Sequence, residues 1–299
     1  MKQDRTLKDF LNAKIYENTI EGEVAKPATF TCFPGAWYYK ALSSKDAWLG
    51  IEVEVTLPYF IPDENRFKYA NDPTKPGSQY KLYLDTPSIY VGGSSDFESD
   101  LGLGWFRGMV DGVVTPDKIC YRPFYRYIYL DEEGKEINSY QGPAIRETEY
   151  YYFPGDTVRM RVFSLKDNYL RLSIELIKET TDEQFVQIRK KLNPNQIYQT
   201  DDFPSPGNGC KSAEYKRVNA IDQYNNEGKP AQMTDAEVEN CVWGKAYLYR
   251  EISGEIMKVP FDSSRYIRMM CPLENAFQIE QKDFKETVSI KPKRANSSN

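Results

Sequence analysis

Strict alternation of apolar and polar side chains is the strongest constraint on the fold of this chain. In residues 50–57 single polar positions separate the apolar ones, which are Ile51, Val53, Val55 and Leu57. The same period of two appears on both arms of residues 156–177, with Lys166, Asp167 and Asn168 at the turn. A period of two puts successive side chains on opposite faces of a strand, so these segments predict strands and an antiparallel hairpin.

Short strand-like segments separated by turn residues continue along the chain. They cover residues 80–84, 89–91, 102–110, 122–130, 216–221, 245–252, 265–270, 277–280 and 287–290. Residues 63–79 have the composition of a surface loop, helices are predicted only over 4–15 and 181–192, and 291–299 is predicted to be a frayed tail. We therefore predict an all-β, antiparallel β-sandwich of the jelly-roll type, with residues 1–299 forming one domain.

Composition excludes several kinds of chemistry. The chain has no histidine, which removes Ser-His-Asp and Cys-His catalysis and histidine-ligated metals. A net charge of -5 argues against a nucleic-acid protein that works through bulk positive charge. The sequence contains no apolar run long enough to predict a membrane span, and its N-terminus does not have the pattern of a secretory signal. A cytoplasmic location is therefore the default expectation.

The five cysteines are widely scattered and never occur in a CxxC pair. This spacing is not typical of a disulfide framework or a zinc site. We predict that they are mostly buried, reduced thiols, with a Cys210–Cys241 bridge left open as an alternative.

Three acidic residues at alternate positions form the candidate site: Asp96, Glu98 and Asp100. On a strand, all three would project from one face. Neighbouring carboxylates raise one another's pKa, which suits a general acid. The same oxygen atoms could hold calcium; no other metal or cofactor is expected.

An aromatic and cationic segment, residues 121–129, adds possible ligand-binding groups. Arg122 and Arg126 share one face of the predicted strand, Trp105 follows the acidic segment, and Tyr151 lies in a second tyrosine-rich segment. Sugar rings stack on aromatic planes, and arginine and carboxylate groups bind hydroxyls. The same tyrosines could instead be the scaffold of a half-buried sheet.

The sandwich pattern, combined with a same-face acidic strand, resembles the concanavalin A-like lectin/glucanase superfamily. Retaining glucanases of that superfamily carry Glu-x-Asp-x-Glu, or a bulged version with one more residue, in which the first Glu is the nucleophile and the last is the acid/base. Residues 96–100 read Asp-x-Glu-x-Asp instead. If Glu98 is aligned with the nucleophile, Asp100 takes the middle position and the acid/base position falls on Gly102 or Leu103, so the motif departs from the family there.

The leading interpretation is glycan recognition on a concave sheet face, and it leaves the glycan and the oligomeric state open. The groups concerned are Asp96, Glu98, Asp100, Trp105, Arg122 and Arg126. A retaining glycoside hydrolase using Glu98 with Asp96 or Asp100 is the first alternative. A polysaccharide lyase using Tyr151 with Arg122 or Arg126, a single-stranded nucleic-acid binder and a non-catalytic structural or interaction protein are the others.

Overall fold

A computed structural model describes residues 5–71, 75–105, 109–110, 113–114, 120–142 and 150–296. Parts of several predictions lie outside these residues, namely positions 4, 72–74, 106–108, 149 and 297–299. Within the described part, strands dominate, accompanied by two α-helices and two short 3-10 helices. The predicted all-β class is confirmed.

The elements follow one another closely along the chain. The first half contains α1 (Leu7–Leu11), β1 (Lys14–Ile15), β2 (Ala36–Ser43), β3 (Trp48–Thr56), β4 (Tyr59–Ile61), β5 (Phe67–Asn71), β6 (Gln79–Tyr83), β7 (Asp85–Ser94), β8 (Ser99–Trp105), β9 (Met109–Val110), β10 (Val113–Val114), β11 (Tyr121–Leu130) and β12 (Glu136–Gln141). The second half contains β13 (Thr157–Phe163), β14 (Tyr169–Lys178), α2 (Glu183–Leu192), β15 (Ile197–Gln199), β16 (Phe203–Pro204), β17 (Glu214–Gln223), β18 (Glu237–Ile252), β19 (Glu255–Pro260), β20 (Tyr266–Cys271), β21 (Phe277–Lys282) and β22 (Lys285–Ile290), with 3-10 helices at Glu274–Ala276 and Pro292–Asn296.

Two large sheets form the sandwich. The first sheet has the order β1-β19-β18-β3-β13-β14-β15, with β4 and β22 also on β18, β21 on β22 and β16 on β14. The second sheet has the order β12-β11-β8-β7-β17-β2-β20. Within the described residues the pairings are antiparallel, except that β1 runs parallel to β19.

The main core fills the space between the two sheets. Ile51, Val53 and Val55 on β3 point into it and are fully buried, as the alternation predicts. The glutamates between them face outward, where Arg161 and Arg159 bind Glu52 and Glu54 respectively. Burial of one apolar face therefore explains the sequence period.

A second apolar cluster covers the outer face of the second sheet. Tyr38, Tyr90 and Val218 belong to it, and Cys32 packs against it. Cys32 forms a disulfide with Cys271 on β20, 239 residues away. The prediction of reduced thiols is wrong for these two cysteines, because residues remote in sequence meet on one sheet face.

The remaining cysteines are thiols, so the Cys210–Cys241 alternative is also wrong. Cys120 and Cys241 are buried and Cys210 is exposed. Burial raises the pKa of the Cys120 thiol to about 12. A thiol in that environment is unreactive, because the thiolate is the nucleophile.

The helix predictions differ in outcome. The helix predicted over 181–192 is present as α2, with Asp182 as its N-cap. The helix predicted over 4–15 shortens to α1, since Lys14 and Ile15 pair with β19 instead. Strand β5 interrupts the predicted loop at 63–79, and no helix in the described part of the chain is long and apolar enough to cross a membrane.

Candidate functional site

The three acidic residues do not share a strand. Strand β7 ends at Ser94 and β8 begins at Ser99, so Asp96 and Glu98 lie in the turn that joins them. A bridge between Ser94 and Glu98 closes this hairpin, and only Asp100 is on a strand. The expected same-face acidic strand is therefore wrong, because four residues of the segment form a tight connection.

The turn sends the acidic side chains to different places. Asp96 is exposed and pairs with Lys211 at 2.6 Å. Glu98 and Asp100 instead share Lys216, whose Nζ lies 2.5 Å from Oδ1 of Asp100. Two of the three predicted carboxylates thus come together, on the outer face of the second sheet.

These two carboxylates open into a depression, here called the acidic recess, with a volume of about 390 Å³. Residues 33–36, next to the Cys32–Cys271 disulfide, form one wall. The charged lining groups come from β8, β11, β17 and the adjoining loops: Glu98, Asp100, Arg126, Lys216, Asp222 and Glu227. Sequence positions far apart therefore meet at a single surface depression.

Strand register explains how the ionic end of the recess is assembled. Asp100 on β8 lies opposite Arg126 on β11, and their side chains pair at 3.3 Å. Lys216 on β17 lies opposite Gly92 on β7. Because Gly92 has no side chain, Lys216 reaches over β7 to Asp100, while remaining only 4% exposed.

The Lys216 charge controls ionisation at this end. It is the main reason that the pKa of Glu98 lies below its ordinary value, with Lys40 and Arg126 contributing. Burial alone would lower the pKa of Lys216, but Asp100 and Glu98 raise it overall. At neutral pH this end is therefore a set of charged, mutually compensated groups.

Asp222 marks the other end of the recess and behaves differently. Asp222 is exposed to the recess. Desolvation by the surrounding protein is nevertheless the main reason that its pKa is raised to about 6, and Asp100 and Glu227 add to the increase. The Ser88 hydroxyl acts in the opposite direction. Among the described residues no lysine or arginine forms an ion pair with Asp222.

Aromatic side chains lie between and beside these charges. Tyr90 is 8% exposed, packs edge-on against Phe124 and carries Lys216 Nζ at 5.5 Å from its ring centre. Within the described part of the chain its hydroxyl has no hydrogen-bond partner. Phe33, 45% exposed, stacks on buried Tyr38 with 4.3 Å between ring centres. One face of Phe33 is therefore supported while the ring stays accessible.

The other predicted ligand groups lie outside the recess. Trp105 points into the core between the sheets, where it packs against Phe60 and Tyr83. The Arg122 guanidinium lies 4.9 Å from the Tyr151 ring, and both residues are 1% exposed. Their burial leaves them no access to a ligand.

Sequence reasoning missed Phe33, Tyr90, Lys216 and Asp222. One signal was available for the last two, since Lys216, Val218, Ala220 and Asp222 share a parity on β17. Lys216 is buried next to Val218 on this face, and a buried lysine on a strand is unusual, whereas Asp222 is exposed. Within the described residues no group of three or more acidic or cysteine side chains is arranged to hold a metal ion.

Comparisons with known proteins assign no family to the chain. No protein-family model matches the chain, and no curated protein matches it. Solved structures that resemble it include scytalido-glutamic peptidase with a transition-state analog inhibitor, at 10% identity and a TM-score of 0.44, covering 85% of this chain and 98% of that one. A second is SCP-B of the eqolisin peptidases with the tripeptide Ala-Ile-His, at 11% identity and a TM-score of 0.35 over the same shares.

A third similar structure is an alginate lyase from Alteromonas sp. 272, at 10% identity and a TM-score of 0.27, covering 65% of this chain and 59% of that one. Likenesses of this degree carry no functional argument. The all-β sandwich rests on the strand pairing of this chain itself, and both the jelly-roll type and membership of the concanavalin A-like superfamily stay predictions.

Proposed function

We propose that this protein binds a glycan in the acidic recess. The observation that carries the proposal is the accessible Phe33 ring beside ionised Glu98 and Asp100, in a depression of about 390 Å³. An aromatic plane offers a stacking surface for the C–H face of a sugar, and carboxylates accept hydrogen bonds from its hydroxyls. This pairing of chemistries suits a polar ligand with apolar faces.

The number of polar groups that line the recess favours an oligosaccharide over a single sugar. Lys216 and Asp222 both line it and are six residues apart on β17, and the Lys216 ammonium lies 5.5 Å from the centre of the Tyr90 ring. Tyr90 lies opposite Val218, between them, and its hydroxyl is available for a ligand group. Successive sugar units would meet successive polar groups along this line.

The pKa values of the carboxyl groups in and near the recess suit binding better than hydrolysis. A retaining hydrolase needs a carboxyl that holds a proton beside one that does not. The pKa of Glu98 is lowered by Lys216, and Asp96 pairs with Lys211 outside the recess. Hydrolysis would therefore need Asp222, whose pKa is about 6, as the acid.

The test is a glycan array followed by calorimetry on each ligand found. Replacing Phe33 with alanine should weaken binding at least about tenfold, equivalent to about 1.4 kcal/mol. Phe284→Ala is the matched control, because Phe284 is 61% exposed in the turn between β21 and β22. The proposal fails if the array shows no ligand or if the two variants behave alike.

The ligands found on the array are also used to test the alternative that the protein is a glycoside hydrolase. Reducing-end release is measured for the unmodified protein and for Glu98→Gln and Asp222→Asn. No release supports binding alone. Release that disappears in both variants would replace the binding proposal with hydrolysis.

A further inference from the structure

We propose that the glycan bound in the acidic recess carries a protonated amine and that Asp222 is the counter-ion of this amine. The inference rests on the proposed function, because it specifies which glycan class the same recess takes. To bind such a glycan, the recess needs three features: a carboxylate that is not paired with a cation of the protein, a polar group that orients the ligand, and a surface that tolerates a positive charge.

The charge balance of the recess supplies the unused negative charge. Its described lining residues include four carboxylates and two cations. Lys216 is occupied by Glu98 and Asp100, whereas Arg126 lies 3.3 Å from Asp100 and 3.7 Å from Glu227. Asp222 is the carboxylate left without a cation, so a ligand ammonium would compensate it.

Tyr90 supplies a second, independent indication of a ligand. The side chain is more than nine-tenths buried, lines the recess and has a hydroxyl with no partner among the described residues. The hydroxyl is not one of the fully buried atoms that lack a partner, so it is open to the recess, where a ligand hydroxyl or amine would bond to it. Burial is the main reason that the pKa of Tyr90 is raised, and Asp100, Asp222 and Glu98 add to the increase, as expected if its hydroxyl lies near these carboxylates.

The aromatic wall tolerates positive charge. The Lys216 ammonium already lies over the Tyr90 ring at 5.5 Å, and Phe33 adds an accessible ring on the wall formed by residues 33–36. Cations are attracted to the faces of such rings. A polyuronate, by contrast, would bring carboxylates to a recess that is already short of cations.

The groups around Asp222 determine how this binding depends on pH. Ser88 faces it from β7, Asp100 from β8 and Glu227 from the loop after β17; Tyr140 on β12 also interacts with it electrostatically. Arg126 on β11 pairs with Asp100 and Glu227 instead. Asp222 therefore gains its negative charge as the pH rises through about 6, and affinity for a cation should rise with it.

The experiment compares three oligomers of equal length by calorimetry: glucosamine, N-acetylglucosamine and N,N,N-trimethylglucosamine. At pH 7 the glucosamine oligomer should bind at least about tenfold more tightly than the acetylated one. The trimethylated oligomer is charged at every pH, so its affinity should rise about tenfold between pH 5 and pH 7, following Asp222. Asp222→Asn should remove both differences.

Asp283→Asn is the matched control, since Asp283 occupies a left-handed turn position that asparagine tolerates. It should behave like the unmodified protein. Equal affinity for all three oligomers, or preference for a polyuronate, overturns the inference but leaves glycan binding intact. An array without any ligand overturns the proposed function itself, so the two failures are distinguishable.

Discussion

Lys216 on β17 forms an ion pair of 2.5 Å with Asp100 on β8, across the intervening strand β7. The Lys216 side chain passes over Gly92, where any larger residue would obstruct it. Because Glu98 binds the same ammonium, one buried cation compensates two carboxylates, one at the end of the turn and one on the strand that follows it. This contact forms the ionic end of the acidic recess and decides which of the predicted acids belong to it.

Replacing Lys216 with methionine should destabilise the fold by about 2 kcal/mol. The change leaves two carboxylates without their main counter-charge; the cost is discounted because the Glu98 side chain is 46% exposed. Urea unfolding at pH 7 measures the effect. Lys211→Met is the control, since Lys211 and Asp96 are both exposed, and it should leave the midpoint unchanged. Equal effects of the two substitutions would contradict the assigned role of Lys216.

Replacing Gly92 with alanine should destabilise the fold by about 3 kcal/mol. The added Cβ would lie 1.9 Å from the carbonyl oxygen of Ser99 and 3.0 Å from Cε of Lys216. Gly104→Ala on the neighbouring strand is the control, because its Cβ would make an ordinary contact of 3.5 Å with Phe124. Thermal unfolding compares the two, and a tolerated Gly92→Ala would show that β7 and β8 can move apart.

Local patterns predicted the strands well. The alternation in β3, β13 and β14 reflects burial of one face, which each strand carries in its own sequence. The apolar face of α2 and its ending at Asn193 are equally local. Such features need no knowledge of which strand lies beside which.

The site could be predicted only in part, because it depends on register between distant strands. Arg126 meets Asp100 through the β8–β11 pairing, and Lys216 meets it only by crossing β7. Proximity in sequence placed Trp105 beside the acids, whereas its side chain on β8 points into the core. The turn at 95–98 shows the limit most clearly: alternating acids look the same on a strand and in a hairpin connection.

Loss of the Cys32–Cys271 disulfide should weaken both the fold and the recess. Cys32→Ser is expected to lower stability by about 2–4 kcal/mol, because the bond restricts the unfolded chain and fastens the wall at 33–36. Urea unfolding with and without dithiothreitol measures this, and the reductant should abolish the difference from the unmodified protein. Cys210→Ser, at an exposed thiol, should have no effect. Stability that is indifferent to both Cys32→Ser and reductant would rule out this role.

Lowering the pH should destabilise the outer face of the first sheet, because the Glu52 carboxylate becomes protonated. This carboxylate accepts hydrogen bonds from Arg161 at 2.6 Å, Lys258 at 2.8 Å and Tyr249 at 2.9 Å. Burial alone would raise the pKa of Glu52, but the two cations lower it below its ordinary value of 4.5. A depressed carboxyl pKa contributes stability that is complete above the ordinary value and is lost as the pH falls through the folded-state value.

Glu52→Gln should therefore cost about 2 kcal/mol at pH 7, and the gap to the unmodified protein should narrow as the pH falls from 5 to 3. Urea unfolding at intervals of half a pH unit measures the gap. Glu251→Gln on β18 is the control, since Glu251 is exposed, and it should follow the unmodified protein throughout. A gap for Glu52→Gln that stays constant down to pH 3 would show that the charge of Glu52 is not what stabilises this face.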